Sequence, residues 1–473
     1  MLKAYAISSA IALILVLPAT TRAQTNPQLD EIRKQIQDMK ASYDKRIQAL
    51  EKQLKDAEDA AAKAQSAATQ AQSAAGQAKE SAEAASQATG LKPPASPSAF
   101  NPAMSLILQG GYYNSNQNPA TRTVTGFLGP GESGLPPRGF DVGETEITLS
   151  ANVDHLFYGQ ATLSIQDGVT VVEEAFFQTI GLGHGLTITG ARYFSGVGYW
   201  NSFHKHAWDF EDAALVQQAF LGENFKIDGL RASWIAPLPV YLEFGIEGGK
   251  PVEFPFPDSD HNSNGFQTGT LFAHVGDDIG VSSSYRFGVW GMRAKNQVTD
   301  VVYQPLAFTG FDNTLSGGNT KLWGLDFVYK WAPNGDPAYT NFKLTAEWMH
   351  RSQDGTLTFD PAGVASVGSF TNKQSGWYIQ GVYQFHPYWR VGLRYDQLDE
   401  GSYELGPGLA GTPGLAPPDF TPKRWTAMID WSPSEFSRFR LQYNQDKSQQ
   451  GITDNQVFLQ YIFSLGTHGA HKF

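Results

Sequence analysis

Two imidazoles and three carboxylates, His204, His206, Asp209, Glu211 and Asp212, fall within nine positions of a stretch reading YFSGVGYWNSFHKHAWDFEDAALVQQAF. Imidazole and carboxylate both ligate zinc or copper, so a His-x-His pair beside carboxylates raises the question of a metal. The spacing fixes no fourth ligand, and histidines in a polar loop are ordinarily solvated or hydrogen bonded. The expectation is therefore no metal and no other cofactor, with His204 and His206 the candidates for a metal.

A second set of charges is spread along the chain at alternate positions. Glu144, Glu146, Glu174, Arg231, Glu243 and Glu247 come early, and Arg390, Arg394, Arg438 and Arg440 come late. On the inner wall of a closed barrel they would line a pore, with acidic and basic sectors facing each other and a transverse field acting on polar solutes. The alternative is that they are ordinary wet-face charges paired locally. Catalysis is not expected, because the chain holds no nucleophile elbow, phosphate loop or H-E-x-x-H pattern.

Such charges need a rigid frame. The chain has no cysteine, so disulfides cannot supply one. Its 46 acidic and 35 basic residues give a net charge of −11, which disfavours nucleic acid as a partner. Mean hydropathy is −0.32, and no segment beyond the N-terminus is long and apolar enough for a helical span. A membrane form must then be a barrel, since only helices and closed barrels satisfy their backbone groups in lipid.

From Ser105 onward, apolar residues alternate with polar ones. Thr145, Ile147, Leu149, Ala151 and Val153 share one face, and Glu144, Glu146, Thr148, Ser150 and Asn152 the other. The pattern returns at Trp323 to Trp331, Phe342 to Trp348, Trp425 to Trp431 and Val457 to Phe463, with aromatic residues near strand ends. Aromatic girdles at two bilayer interfaces would place them there. About 16 strands of roughly 9 to 13 residues are expected. Short connections are expected at Asp154-His155, Gly181 to Gly185, Pro237 to Pro239, Gly276 to Asp278, His386-Pro387 and Ser432 to Glu435. Long ones are expected at Asn114 to Arg138, Ser195 to Asn224, Gly249 to Gln267, Asn296 to Gly318, Asp354 to Asn372 and Asp399 to Pro422. A soluble sandwich or propeller is the competing fold, and the interface aromatics speak against it.

The N-terminal quarter reads differently. Residues 1–23 form a secretory signal, with Lys3, an apolar run from Ala10 to Leu17 and a small-residue site at Thr21-Arg22-Ala23. Residues 24–90 form an α-helical coiled coil, its seam running Leu29, Ile32, Ile36, Met39, Tyr43, Ile47, Leu50, Leu54 and then on alanines. A solvated Ala/Gln spacer is the alternative. Pro93, Pro94 and Pro97 mark a linker at 91–103, and the transmembrane antiparallel β-barrel occupies 104–473. The last strand loses its alternation near Phe463 and Ser464, which leaves Phe473 either at the end of a longer strand or on a tail.

This order of signal, coil, linker and barrel resembles the phosphate-selective porin type, and the periplasmic coil resembles that of the sucrose porin. The likeness is best in GFDVGETEITLSANVDHLFYGQATLSI and around VVEEAFFQTI and LTITGARYFSGVGYWN. The resemblance implies a Gram-negative outer-membrane homotrimer passing small polar or charged solutes, the coil in the periplasm, and the loop at 195–224 folding inward to constrict the channel. The lysine ladder expected of phosphate selectivity is missing. The segment from Tyr193 to Phe220 also looks like proteins labelled TonB-dependent receptors, so a receptor-type transporter, metal related or not, and an envelope tether are the alternatives. A coil and linker stand where a receptor would carry its plug.

Overall fold

The computed structural model describes Lys40, Lys52, Lys55 and residues 102–466, apart from 128–133, 167, 253–263, 297–298, 301–313, 360–364, 413–414 and 416–418. The chain divides into Met1–Pro97 and Ser98–Phe473. In the first unit Lys40, Lys52 and Lys55 are helical and exposed. The expected signal, the coil apart from those three lysines, and most of the linker lie outside the described residues, as does Phe473.

The second unit is one sheet closed on itself. Its first strands are β1 (Ala103–Ser115), β2 (Gly139–Asp141), β3 (Thr145–Asn152), β4 (Phe157–Gln166), β5 (Val169–Thr179), β6 (Leu186–Phe194), β7 (Lys226–Ile235), β8 (Tyr241–Pro251), β9 (Thr268–Ile279) and β10 (Ser283–Lys295). There follow β11 (Thr299–Asp300), β12 (Thr314–Ser316), β13 (Asn319–Trp331), β14 (Asn341–Phe359), β15 (Ser366–His386), β16 (Trp389–Leu405), β17 (Lys423–Ser434), β18 (Ser437–Lys447) and β19 (Asp454–Gly466). β2, β11 and β12 are short additions that pair beyond the main wall. The other sixteen run antiparallel between neighbours, and β1 closes the ring by pairing with β19 from Ser105↔Gly466 to Ser115↔Gln456 and with β3 from Ala103↔Ser150 to Ile107↔Glu146. Closure leaves no edge strand to be protected.

The period of two sorts the side chains. On β17, Arg424, Thr426, Met428 and Asp430 are buried inside, while Trp425, Ala427 and Trp431 are exposed outside. Leu393, Leu441 and Leu459 stand on the same outer face, each at least half exposed. Aromatic rings bracket this apolar belt. Trp389, Trp431, Phe439 and Tyr461 form a chain of ring contacts near the short turns, with centroids 6.0, 5.6 and 4.7 Å apart. Trp377, Tyr395 and Trp425 form another nearer the long loops, at 5.4 and 4.6 Å. Trp431 follows Trp425 by six positions on β17, about 20 Å along the strand, which suits an apolar band roughly 25 Å tall.

Several boundaries differ from the sequence reading. The expected loop at Asp354 to Asn372 is largely strand: β14 runs to Phe359 and β15 starts at Ser366, paired without a break from Asp354↔Thr371 to Phe359↔Ser366. β16 continues to Leu405, and β9 continues through Gly276 to Ile279, so that turn falls at 280–282. Beyond the apolar belt the outer face turns polar and the buried face packs through a few residues, Leu357, Phe359 and Phe370 against Leu315, Leu409 and Leu415, so the apolar alternation is too sparse to mark the strand. The turn at Ala332 to Thr340, with the 3-10 turn Pro333–Gly335, has no counterpart among the expected short connections.

Candidate functional site

The segment between β6 and β7, residues 195–225, does not stay at the rim. Its polar atoms bond to β3, β5, β8, β14, β15, β16, β17 and β18, so it runs across the lumen to the opposite wall. A backbone excluded from water must find partners for its N–H and C=O groups. The polar inner face of the barrel provides them.

Asn201 holds the neck. Its Nδ2 donates to Ser195 O at 2.8 Å and Phe225 O at 3.1 Å, and its Oδ1 accepts from Phe225 N at 2.6 Å. Next to the neck, Glu247 of β8 accepts from Gly196 N at 2.9 Å and from the hydroxyls of Ser195 and Thr270, and faces Arg231 Nε at 3.2 Å. Glu347 of β14 receives Tyr199 N at 3.1 Å, Trp200 N at 2.7 Å, Gln217 Nε2 at 3.0 Å and the Tyr378 hydroxyl at 3.2 Å. The chain reaches Glu347 through Gly198, whose φ is +72° and where a Cβ would lie 2.8 Å from the carboxylate. Glycine is needed there on both counts.

His204 and His206 turn toward the early wall, their rings stacked 5.8 Å apart. His204 pairs with Glu146 of β3 at 3.3 Å and Glu174 of β5 at 3.0 Å, and His206 Nδ1 lies 2.8 Å from Glu146. Burial disfavours charge on His204, but Glu146 and Glu174 outweigh it and push its pKa up to about 9. No group of three or more His, Asp or Glu side chains among the described residues is arranged to hold a metal ion.

The acidic residues turn toward the late wall. Burial alone would raise the Asp209 carboxyl, but Lys343 at 2.5 Å and Arg390 at 3.3 Å bring it down to about 2. Asp212 accepts from Arg394 at 2.8 Å, Arg424 at 2.7 Å, Gln442 Nε2 at 2.7 Å and Asn444 Nδ2 at 2.8 Å. Despite burial, the two guanidinium groups hold it well below the ordinary carboxylate range. Glu211 differs, since burial pushes its carboxyl up, and only its backbone N–H is tied to Gln442 Oε1, at 2.8 Å.

The segment then forms a short buried helix, α1 (Leu215–Phe220). Asp396 Oδ1 takes the N–H of Leu215 at 3.0 Å and Arg351 donates to Ala219 O at 3.2 Å, so each end of the helix dipole faces the opposite charge. Leu215, Val216, Ala219 and Phe220 pack with Val124 and Phe127 of the β1–β2 connection and with Trp290, Leu322 and Met349 of the wall.

Of the wall residues singled out from sequence, Glu146, Glu174 and Glu247 meet the crossing segment as described, while Arg231 faces Glu247 and donates to Phe194 O of β6 at 2.9 Å. Glu243 pairs instead with His274 at 3.0 Å and the Tyr241 hydroxyl at 2.6 Å, both groups of the wall. Arg390 also binds Asp430 at 2.5 Å. Arg438 donates to Trp208 O at 3.2 Å, as Arg440 does at 2.8 Å. Arg394 and Arg440 face inward but are 2% and 1% exposed, covered rather than bared to a lumen. The late sector is also not uniformly basic, because Asp396, Asp430 and Asp446 alternate with its arginines. Glu347, Arg351, Asp396, Arg424, Gln442 and Asn444 were missed by the sequence reading. They sit at the inward positions between outward aromatic and aliphatic residues, so continuing the alternation along β14 and β16–β18 would have found them.

A cavity of about 490 Å³ remains on the other side of the segment, along β1, β4, β5 and β19. Glu144 lines it, together with His204, Lys205 and Glu211.

The fold can be laid beside solved barrels. The outer membrane channel DcaP of Acinetobacter baumannii is 12% identical at a TM-score of 0.47, over 78% of this chain and 99% of that one. Salmonella typhi OmpF, in complex with daunomycin, is 12% identical at 0.46, over 78% and 99%. Pseudomonas putida OprB at high pH is 14% identical at 0.45, over 77% and 94%. Likenesses this slight carry no conclusion about this chain. No family model matches it. An uncharacterized protein of Aquifex aeolicus (strain VF5) is 30% identical over 408 residues, covering 80% of this chain and 81% of that protein. The chain belongs to the same family as that Aquifex aeolicus protein.

Proposed function

We propose that the protein is a porin of the outer membrane, a passive channel for small polar or charged solutes in which residues 195–225 narrow the lumen. The observation that carries this reading is a closed sixteen-stranded wall, apolar outside and polar inside, whose interior is crossed by the bonded segment 195–225, with a cavity along one side. An apolar outer belt between two aromatic girdles favours lipid as its surroundings. Residues 1–23 supply the export signal in this reading, and residues 24–90 a periplasmic coil that favours a homotrimer.

The bonds and ion pairs that tie the segment to the late wall, those of Asp209, Asp212 and Leu215 among them, would make it a fixed constriction rather than a swinging lid. Swelling of proteoliposomes in sugars of graded size tests the reading. Monosaccharides should enter and larger oligosaccharides should not. Entry by none of them, from a barrel that is folded by its heat-shifted electrophoretic mobility, would favour a receptor-type transporter or a structural tether.

A further inference from the structure

Building on the channel reading, we infer that the cavity along β1, β4, β5 and β19 is a binding stretch for small organic cations, ammonium or guanidinium solutes that also carry a hydrogen-bond acceptor. Its described lining contains Asp141, Glu144, Glu173, Glu211 and Glu223 against Lys205 and Lys226. Lys226 is matched by Glu173 at 3.3 Å. Burial works against charge on Lys205, but Glu223, Glu211 and Glu144 outweigh it and hold its pKa above the ordinary lysine range. One ammonium among three carboxylates leaves negative charge in excess, and Glu144 and Glu223 alone outnumber it. His204, which also lines the cavity, is offset by Glu146 and Glu174 behind it.

The arginines do not reverse this sign. Arg390, Arg394 and Arg424 are paired with Asp430, Asp396 and Asp212 across the crossing segment, and none of them lines the cavity. A passing solute therefore meets the acidic side of the lumen, not the basic one, and a low-dielectric wall concentrates counter-ions there.

Gln109 points to the second feature of the solute. It lines the same cavity and is 6% exposed, and its Oε1 accepts from Gln460 Nε2 at 3.2 Å while its Nε2 has no partner. A buried donor left unmade is costly, and an acceptor on the solute would meet it. Arginine and lysine carry both groups.

The test is the reversal potential of the full protein in planar bilayers under a KCl gradient, with arginine then added as the probe. Wild type should favour K+ over Cl− by about threefold or more, and the triple variant E144Q/E211Q/E223Q should fall toward no preference. Gln109→Leu should weaken block by arginine while leaving the K+ preference in place. Should the triple variant fail to fold, uptake by wild-type proteoliposomes decides, with arginine expected to enter faster than glutamate. An open channel that prefers Cl−, or glutamate uptake matching arginine, overturns this inference and leaves the channel reading standing. A silent protein overturns the channel reading and the inference with it.

Discussion

Oδ2 of Asp212 in the crossing segment stands 2.7 Å from Nη1 of Arg424 in β17, a contact between positions 212 residues apart in the chain. Both side chains are almost entirely shielded from solvent. The same carboxylate binds Arg394, and Asp396 lies 3.1 Å from Arg394 and 3.3 Å from Arg424, so two carboxylates and two guanidinium groups form one buried cluster. Replacing Asp212 by alanine should cost about 3–5 kcal/mol, because it strands buried charge rather than merely losing an attraction. The loss should appear as a lower urea midpoint for refolding into liposomes and as larger, noisier single-channel currents.

Glu347 governs the other side of the segment. Glu347→Ala removes the acceptor for the N–H groups of Tyr199 and Trp200 and for Gln217. Each buried donor left unmade costs about 1–3 kcal/mol. Limited proteolysis of the folded barrel should then cut between Ser195 and Asn224, where the wild-type segment resists.

The attachment at His204 should depend on pH. Its imidazole binds a proton more tightly in the folded protein, at about 9, than at its ordinary value of 6.5. A raised pKa of this kind contributes stability that is fully present below about pH 6.5 and is lost as pH rises through about 9. Current noise and protease sensitivity should therefore increase between pH 6.5 and pH 10. His204→Gln should flatten that dependence, and an unchanged slope in the variant would assign it to another group.

The outer belt makes its own prediction. Leu441 lies midway along β18, half exposed and paired with Leu459 of β19. Leu441→Arg should lower barrel stability in lipid by about 2–4 kcal/mol, the cost of an arginine near a bilayer midplane. Equal midpoints for the two proteins in reversible urea titrations from liposomes would speak against lipid at that face.

Much of the wall was legible in the sequence because a closed sheet imposes a strict period of two. Trp425, Ala427, Ile429 and Trp431 announced β17, and the intervening Arg424, Thr426, Met428 and Asp430 could be placed inside by the same rule. Strand ends were less legible where Ser352 to Thr356 carry no apolar side chain and pairing with β15 defines them. The crossing segment was recognisable by its length and its charge-rich composition. Its partners were not, because Asp212 meets Arg424 only once the sheet has closed and brought β17 opposite β6. The apparent division into acidic early and basic late strands likewise omitted Asp396, Asp430 and Asp446, which pair with the arginines.

The central claim is that this barrel is an open channel with a fixed internal constriction, and single-channel recording of the refolded full chain in planar bilayers tests it most directly. Steady stepwise openings in wild type, becoming larger and flickering in Asp212→Ala, are the predicted result. A folded, heat-modifiable barrel that passes no current, in wild type and variant alike, would contradict it.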